Sequence, residues 1–133
     1  MIPYLLTYSD WGILALRVVV GLILLSHGVP KIKNIRGTAE WIGKMFKPGI
    51  FWAVLVSVFE VFGGISLIVG FLTQVVAAFV VVQFIVIILR VNGKKGLVGG
   101  YELDLIILAS VLALLVLGGG AMSVDHVLGL LLY

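Results

Sequence analysis

Apolar residues fall into four long blocks along this chain, each about the length that crosses a bilayer. Trp11–Pro30, Ile50–Gly70, Phe71–Val91 and Tyr101–Gly119 carry few polar positions and do not alternate apolar with polar at period two. A bilayer core near 30 Å needs about 20 residues of helix, so the pattern predicts four transmembrane helices rather than a β-barrel. The link Gly70-Phe71-Leu72-Thr73 is short and uncharged, which makes the second and third spans a tight antiparallel hairpin. Between the first two spans, Thr38–Lys47 places Trp41, Ile42, Met45 and Phe46 at helical spacing among Glu40, Lys44 and Lys47. That segment predicts a short interfacial helix, stopped by Pro48-Gly49. After Gly118-Gly119-Gly120, Ser123 and Asp125 suit the first turn of a short helix. The apolar stretch from Val127 to Tyr133 is too short to span and is expected against the bundle's outer surface. The expected fold is therefore all-α, an antiparallel four-helix transmembrane bundle in one domain over 1–133.

Composition supports that class. The chain is 62% hydrophobic and 11% charged, where soluble domains are nearer half apolar and a quarter charged. It has no cysteine, so disulfides, iron–sulfur ligation and thiol relays are excluded within it. Its two histidines, His27 and His126, lie far apart in sequence, and no metal site is expected. Eight of its nine basic residues fall in two loops: Lys31, Lys33, Arg36, Lys44 and Lys47, then Arg90, Lys94 and Lys95. The positive-inside rule makes loops 31–49 and 90–100 cytoplasmic and turns both termini outward, in a multi-pass protein of the plasma membrane. The net charge of +3 reports that orientation and not nucleic-acid binding. The first ten residues lack a basic n-region, so no secretory signal is expected. No internal repeat of the kind that builds many transporters is visible.

Against this apolar background a few polar residues stand out by depth. Glu60 is the sole charge in the 22-residue run Phe51–Leu72. A carboxylate there costs about 2.5–3.5 kcal/mol on insertion scales, so it must be paired, protonated or used. Gln83 lies at similar depth in the third span, Arg17 nearer the outer side, and His27 with Lys31 near the inner end of the first span, level with Glu102 and Asp104. Arg17 is the expected partner of Glu60, and His27 or Lys31 that of Glu102 or Asp104. Helix–helix staples and a ligand- or proton-binding cavity both fit such groups. Gly21 and Gly28 in the first span, with Gly63 and Gly64 beside Glu60, mark surfaces where a helix or ligand comes close.

Taken together, Leu16-Arg17, Gly21, Ser26-His27-Gly28 with Lys31, Phe59-Glu60-Val61-Phe62-Gly63-Gly64 with Gly70 and Thr73, Glu102, and Gly118 to Asp125 resemble the DoxX family in order and spacing. Where that family carries a basic and an aromatic residue before the terminal serine, this chain has Ala121 and Met122. The resemblance implies a small four-helix membrane protein linked to redox processes, some relatives being membrane subunits of a thiosulfate:quinone oxidoreductase. Ser123 and Asp125 belong to the implied motif.

The leading expectation is an oxidoreductase-associated membrane subunit without a redox centre of its own. A quinone or small sulfur compound would sit in a polar cavity, with Arg17, His27, Lys31, Glu60, Gln83 and Glu102 as ligand-binding or proton-relay candidates. No covalent cofactor is evident, and the electron carrier would be a bound quinone or a redox partner subunit. The lipid bilayer and a second copy of the chain are the other expected partners. The alternatives are a small proton or solute transporter or channel, and a structural adaptor.

Overall fold

The computed structural model describes residues 7–129. Among them are six α-helices and no strand. Helix α1 is Ser9–Lys33, α2 Ile35–Gly43, α3 Gly49–Val69, α4 Thr73–Ile87, α5 Glu102–Leu117 and α6 Val124–Leu128. Beyond Ile87 the α4 helix continues as a π-turn over Ile88–Asn92 and a 3₁₀ turn over Gly93–Lys95. With those extensions, four helices are long and apolar enough to cross a membrane: Ser9–Lys33, Gly49–Val69, Thr73–Lys95 and Leu97–Leu117. The protein is therefore an all-helical, four-span membrane protein. Of the apolar segment expected over 127–133, residues 130–133 lie outside the described residues.

Helix ends differ from the expected spans for local reasons. Pro30 does not end α1, which runs three residues further to Lys33. A proline forfeits one backbone hydrogen bond to the preceding turn, and here the next turn closes through the Asn34 amide on the Pro30 carbonyl at 3.1 Å. Helix α2 starts and ends earlier than Thr38–Lys47, because Asn34 caps it by accepting from the Gly37 amide at 3.3 Å. It buries Ile42 against α3 and leaves Trp41 exposed. The third span begins at Thr73 rather than Phe71. Gly70 takes the left-handed conformation at the end of α3, φ 78°, and Leu72 follows it with φ 50°. A leucine at positive φ is costly and persists only where its surroundings hold it.

Two close helix pairs build the bundle, α1 with α3 and α4 with α5. At the first crossing, a Cβ on Gly21 would lie 2.6 Å from the Gly64 carbonyl oxygen, and a Cβ on Gly64 would lie 2.7 Å from that of Gly21. Reciprocal glycines thus let the backbones touch, the usual way to gain packing where lipid supplies no hydrophobic drive. Gly63 faces the other way, toward Val76 of α4. The shared core is Val20, Leu24, Leu67, Val76, Ala77, Val80, Phe84, Ile107, Val111 and Leu114. Large apolar side chains such as Phe62, Phe79, Val82, Ile106 and Val116 point outward, as expected of a surface solvated by acyl chains. The basic loops 31–49 and 88–101 share one end of the bundle. The Gly70–Leu72 turn, the start of α1 and α6 share the other.

Candidate functional site

The intramembrane polar groups form two separate clusters. The first lies at the turn end. Arg17 is fully buried, and its guanidinium donates to the carbonyls of Leu67 (3.2 Å), Ile68 (3.4 Å) and Met122 (2.6 Å). Asp125, 2% exposed, accepts from the amides of Leu72 (2.6 Å) and Thr73 (2.8 Å). Asp125 thus caps α4 from the far end of the chain and holds Leu72 in its left-handed conformation. The Asp125 amide donates back to the Gly70 carbonyl at 2.9 Å. Both charges are met mainly by backbone and also act on one another electrostatically, while Arg17 Nε and the Thr73 hydroxyl are buried without a hydrogen-bond partner among the described residues. Ser123 caps α6 by accepting from the His126 amide at 3.1 Å, while its hydroxyl donates to the Gly120 carbonyl at 2.7 Å. Around this knot, Asp10 accepts from the Ala121 amide (3.0 Å) and Gln74 donates to the Leu115 carbonyl (3.0 Å).

The second cluster is made of side chains. Glu60 is 2% exposed, and its Oε1 accepts from Lys31 Nζ at 2.7 Å and from Gln83 Nε2 at 2.5 Å. Three helices therefore meet at one oxygen: α1 through Lys31, α3 through Glu60 and α4 through Gln83. Lys31 remains 27% exposed toward the basic end. Gly28 makes the approach possible, since a Cβ there would lie 2.9 Å from Glu60 Cβ. Glu60 Oε2 is buried with no hydrogen-bond partner among the described residues, and so is the hydroxyl of Ser57. Ser57 precedes Glu60 by three positions on α3, so the two lie on neighbouring faces of consecutive turns. A buried carboxylate oxygen without a partner can still accept a hydrogen bond, and a buried hydroxyl without one can still donate.

The expected Arg17–Glu60 contact does not form. Side chains on a helix tilt toward its N-terminus. Helix α1 starts at the turn end, so Arg17 leans away from Glu60, while Lys31 leans back from the basic end toward it. Glu60 sits on α3, which runs the other way, and leans toward Lys31. Lys31 therefore pairs with Glu60 rather than with Glu102 or Asp104. Asp104 accepts from Asn92 Nδ2 at 2.6 Å, and Glu102, exposed, accepts from the Gly99 amide at 3.0 Å. Both hold the irregular connection ahead of α5. His27 is exposed, and its Nδ1 lies 2.8 Å from the Ile23 carbonyl one turn back on its own helix. The candidates thus divide three ways: Lys31, Glu60 and Gln83 meet, Arg17 joins the turn end, and His27 and Glu102 stand outside both clusters. Among the described residues no group of three or more His, Cys, Asp or Glu could hold a metal ion.

Sequence reasoning singled out neither Ser57 nor Gln74. A serine one turn from a lone intramembrane glutamate is a usable signal for the first. Gln74 follows directly on the residue that Asp125 caps, and it reaches a carbonyl that only the three-dimensional fold brings near. Ala121 and Met122 also find their explanation at the turn end, because both act through backbone atoms. The side chains they carry are not what Arg17 and Asp10 touch.

Comparison with known proteins finds relatives of this chain. A Bacillus subtilis (strain 168) protein named "Putative oxidoreductase CatD" is 29% identical over 114 residues, 86% of this chain and 84% of that protein. The Escherichia coli (strain K12) "Inner membrane protein YqjF" is 30% identical over 125 residues, 90% of this chain and 94% of that protein. No solved structure matches significantly. The DoxX family model matches residues 12–93, which take in Arg17, Lys31, Ser57, Glu60 and Gln83. This chain belongs to the DoxX family.

Proposed function

We propose that this protein is the membrane subunit of a redox-linked system and that the Lys31–Glu60–Gln83 cluster binds a small oxygen-bearing molecule of the quinone type. The observation that carries the proposal is Glu60 Oε2, buried without a partner while Oε1 is held by two donors, with the equally unpartnered Ser57 hydroxyl three positions earlier on α3. A quinone or quinol oxygen brought there would meet an acceptor in Oε2 and a donor in Ser57. Lys31 supplies positive charge and, being part-exposed, a polar step toward the basic end. Glu60 would take or give one of the two protons that accompany two-electron reduction of a quinone to a quinol. In this reading the electron carrier is the bound quinone, working with a redox partner subunit. The relative named an oxidoreductase supports the redox link. The basic loops support an orientation with both termini outside the cytoplasm.

A continuous transport path through one bundle has less support, because the clusters are separated along α1 and α3 by Val20, Leu24 and Leu67. The test is binding of a short-chain quinone to purified protein in detergent, comparing wild type with Glu60→Gln and Ser57→Ala. Wild type should bind, and Glu60→Gln should weaken binding about tenfold or more, as expected for loss of a charge-assisted hydrogen bond. No binding by wild type, or equal binding by all three proteins, would sink the ligand assignment.

A further inference from the structure

A second candidate site lies at the basic end, outside both intramembrane clusters. Trp41, Lys44 and Met45, at the end of α2, face Arg90, Val91 and Lys95, on the π- and 3₁₀-turns that close the third span. Together they line a cavity of about 290 Å³. Three of its six lining residues are cationic and none is acidic. Among the described residues the ion pair within 4 Å is Lys31–Glu60, so no carboxylate lies within that distance of Lys44, Arg90 or Lys95. Arg90 is positioned: its guanidinium carbon lies 5.5 Å from the centre of the Phe46 ring, and Phe46 packs in turn on Trp52 of α3 with centroids 6.2 Å apart. The irregular turns have a consequence here. Had α4 continued as regular helix past Ile87, its 3.6-residue period would set Arg90 and Lys95 on different faces; the π- and 3₁₀-turns bring both to one cavity.

We propose that this cavity binds the phosphate of an anionic phospholipid headgroup. Three cations with no carboxylate in direct contact line a volume at the small end of the ligand-pocket range, which suits a headgroup rather than a large cofactor. Clustered Lys and Arg beside transmembrane helices attract anionic lipid, and Arg is suited to phosphate because its planar fork donates two parallel hydrogen bonds. The location selects lipid over soluble phosphate. The cavity sits where two spans end, at Gly49 and Lys95, and Trp41 at its rim is 48% exposed, as aromatic anchors at the headgroup level are.

The experiment is native mass spectrometry of delipidated protein titrated in neutral detergent with phosphatidylglycerol or with phosphatidylcholine. Wild type is compared with Lys44→Gln/Lys95→Gln and with Lys33→Gln/Arg36→Gln, which removes the same charge from exposed positions outside the cavity. All four positions are exposed, so both variants should fold. Wild type should prefer phosphatidylglycerol, and the cavity variant should lose about tenfold in affinity for it while the control variant loses less than half of that. Equal losses in the two variants, or no preference over phosphatidylcholine, would overturn the site. A parallel arm adds millimolar inorganic phosphate: if it displaces phosphatidylglycerol fully, the site reads free phosphate and the lipid assignment fails.

Discussion

Arg17 and Glu60 are both buried charges in apolar helices, yet the fold treats them differently. Arg17 is surrounded by carbonyls and Asp125 by amides, groups that cannot move without undoing a helix end. Each keeps one polar atom without a partner among the described residues, Arg17 its Nε and Glu60 its Oε2, but Glu60 is held by two long, flexible side chains. A charge satisfied by backbone is a structural fixture, because no ligand can compete for its partners without unfolding them. A charge satisfied on one side by side chains can exchange partners. The turn-end cluster ties the third span, the α3–α4 turn and α6 together, and the Glu60 cluster is where the bundle keeps chemistry available.

Substitutions should separate the two. Arg17→Ala is expected to cost the most, about 3–5 kcal/mol, since it leaves three buried carbonyls without their charged donor and removes the positive charge that acts on buried Asp125. Thermal unfolding in detergent would show it as a large fall in Tm, and an unchanged Tm would break the comparison. Asp125→Ala should follow at about 2–3 kcal/mol, from the loss of two charge-assisted bonds and of the restraint on Leu72. Proteolysis at the 70–73 turn should rise with it. Between the clusters, Gly64→Val forces a side chain into the Gly21 backbone and should cost about 1–3 kcal/mol while disturbing both sites. Glu60→Gln should be mildest for stability, about 1 kcal/mol, because glutamine keeps a carbonyl acceptor for Lys31 and Gln83, and Lys31, part-exposed, is not left as a buried unpaired charge. Its effect should appear in ligand binding instead.

Much of the bundle was legible in the chain. Four apolar blocks, a short uncharged hairpin link and two basic loops are enough to place four spans, since the bilayer dictates helix length and backbone satisfaction. Local conformation was less so. Pro30 reads as a stop, but a helix in apolar surroundings tolerates the lost hydrogen bond and continues to Lys33. Phe71 reads as helix, but Asp125, 54 positions away, holds Leu72 outside it. Sorting polar residues by depth set Arg17 apart from Glu60 and Gln83, as the structure does, but grouped Lys31 with Glu102 and Asp104, and matching opposite signs then paired Arg17 with Glu60, where the structure pairs Lys31. Depth ignores the tilt of side chains toward each helix's N-terminus, and in antiparallel helices that tilt decides which neighbours converge. The role of Asp125 was legible only as a motif, because a cap supplied from the far end of a chain leaves no local trace.

The most direct test of the central claim, that the Glu60 cluster is available to a ligand while the Arg17 cluster is structural, is the Tm of Glu60→Gln with and without a short-chain quinone. Without quinone it should melt within a few degrees of wild type, and the quinone that raises the wild-type Tm should leave it unmoved. A fall as deep as that of Arg17→Ala, or a quinone-induced rise equal to that of wild type, would contradict the account.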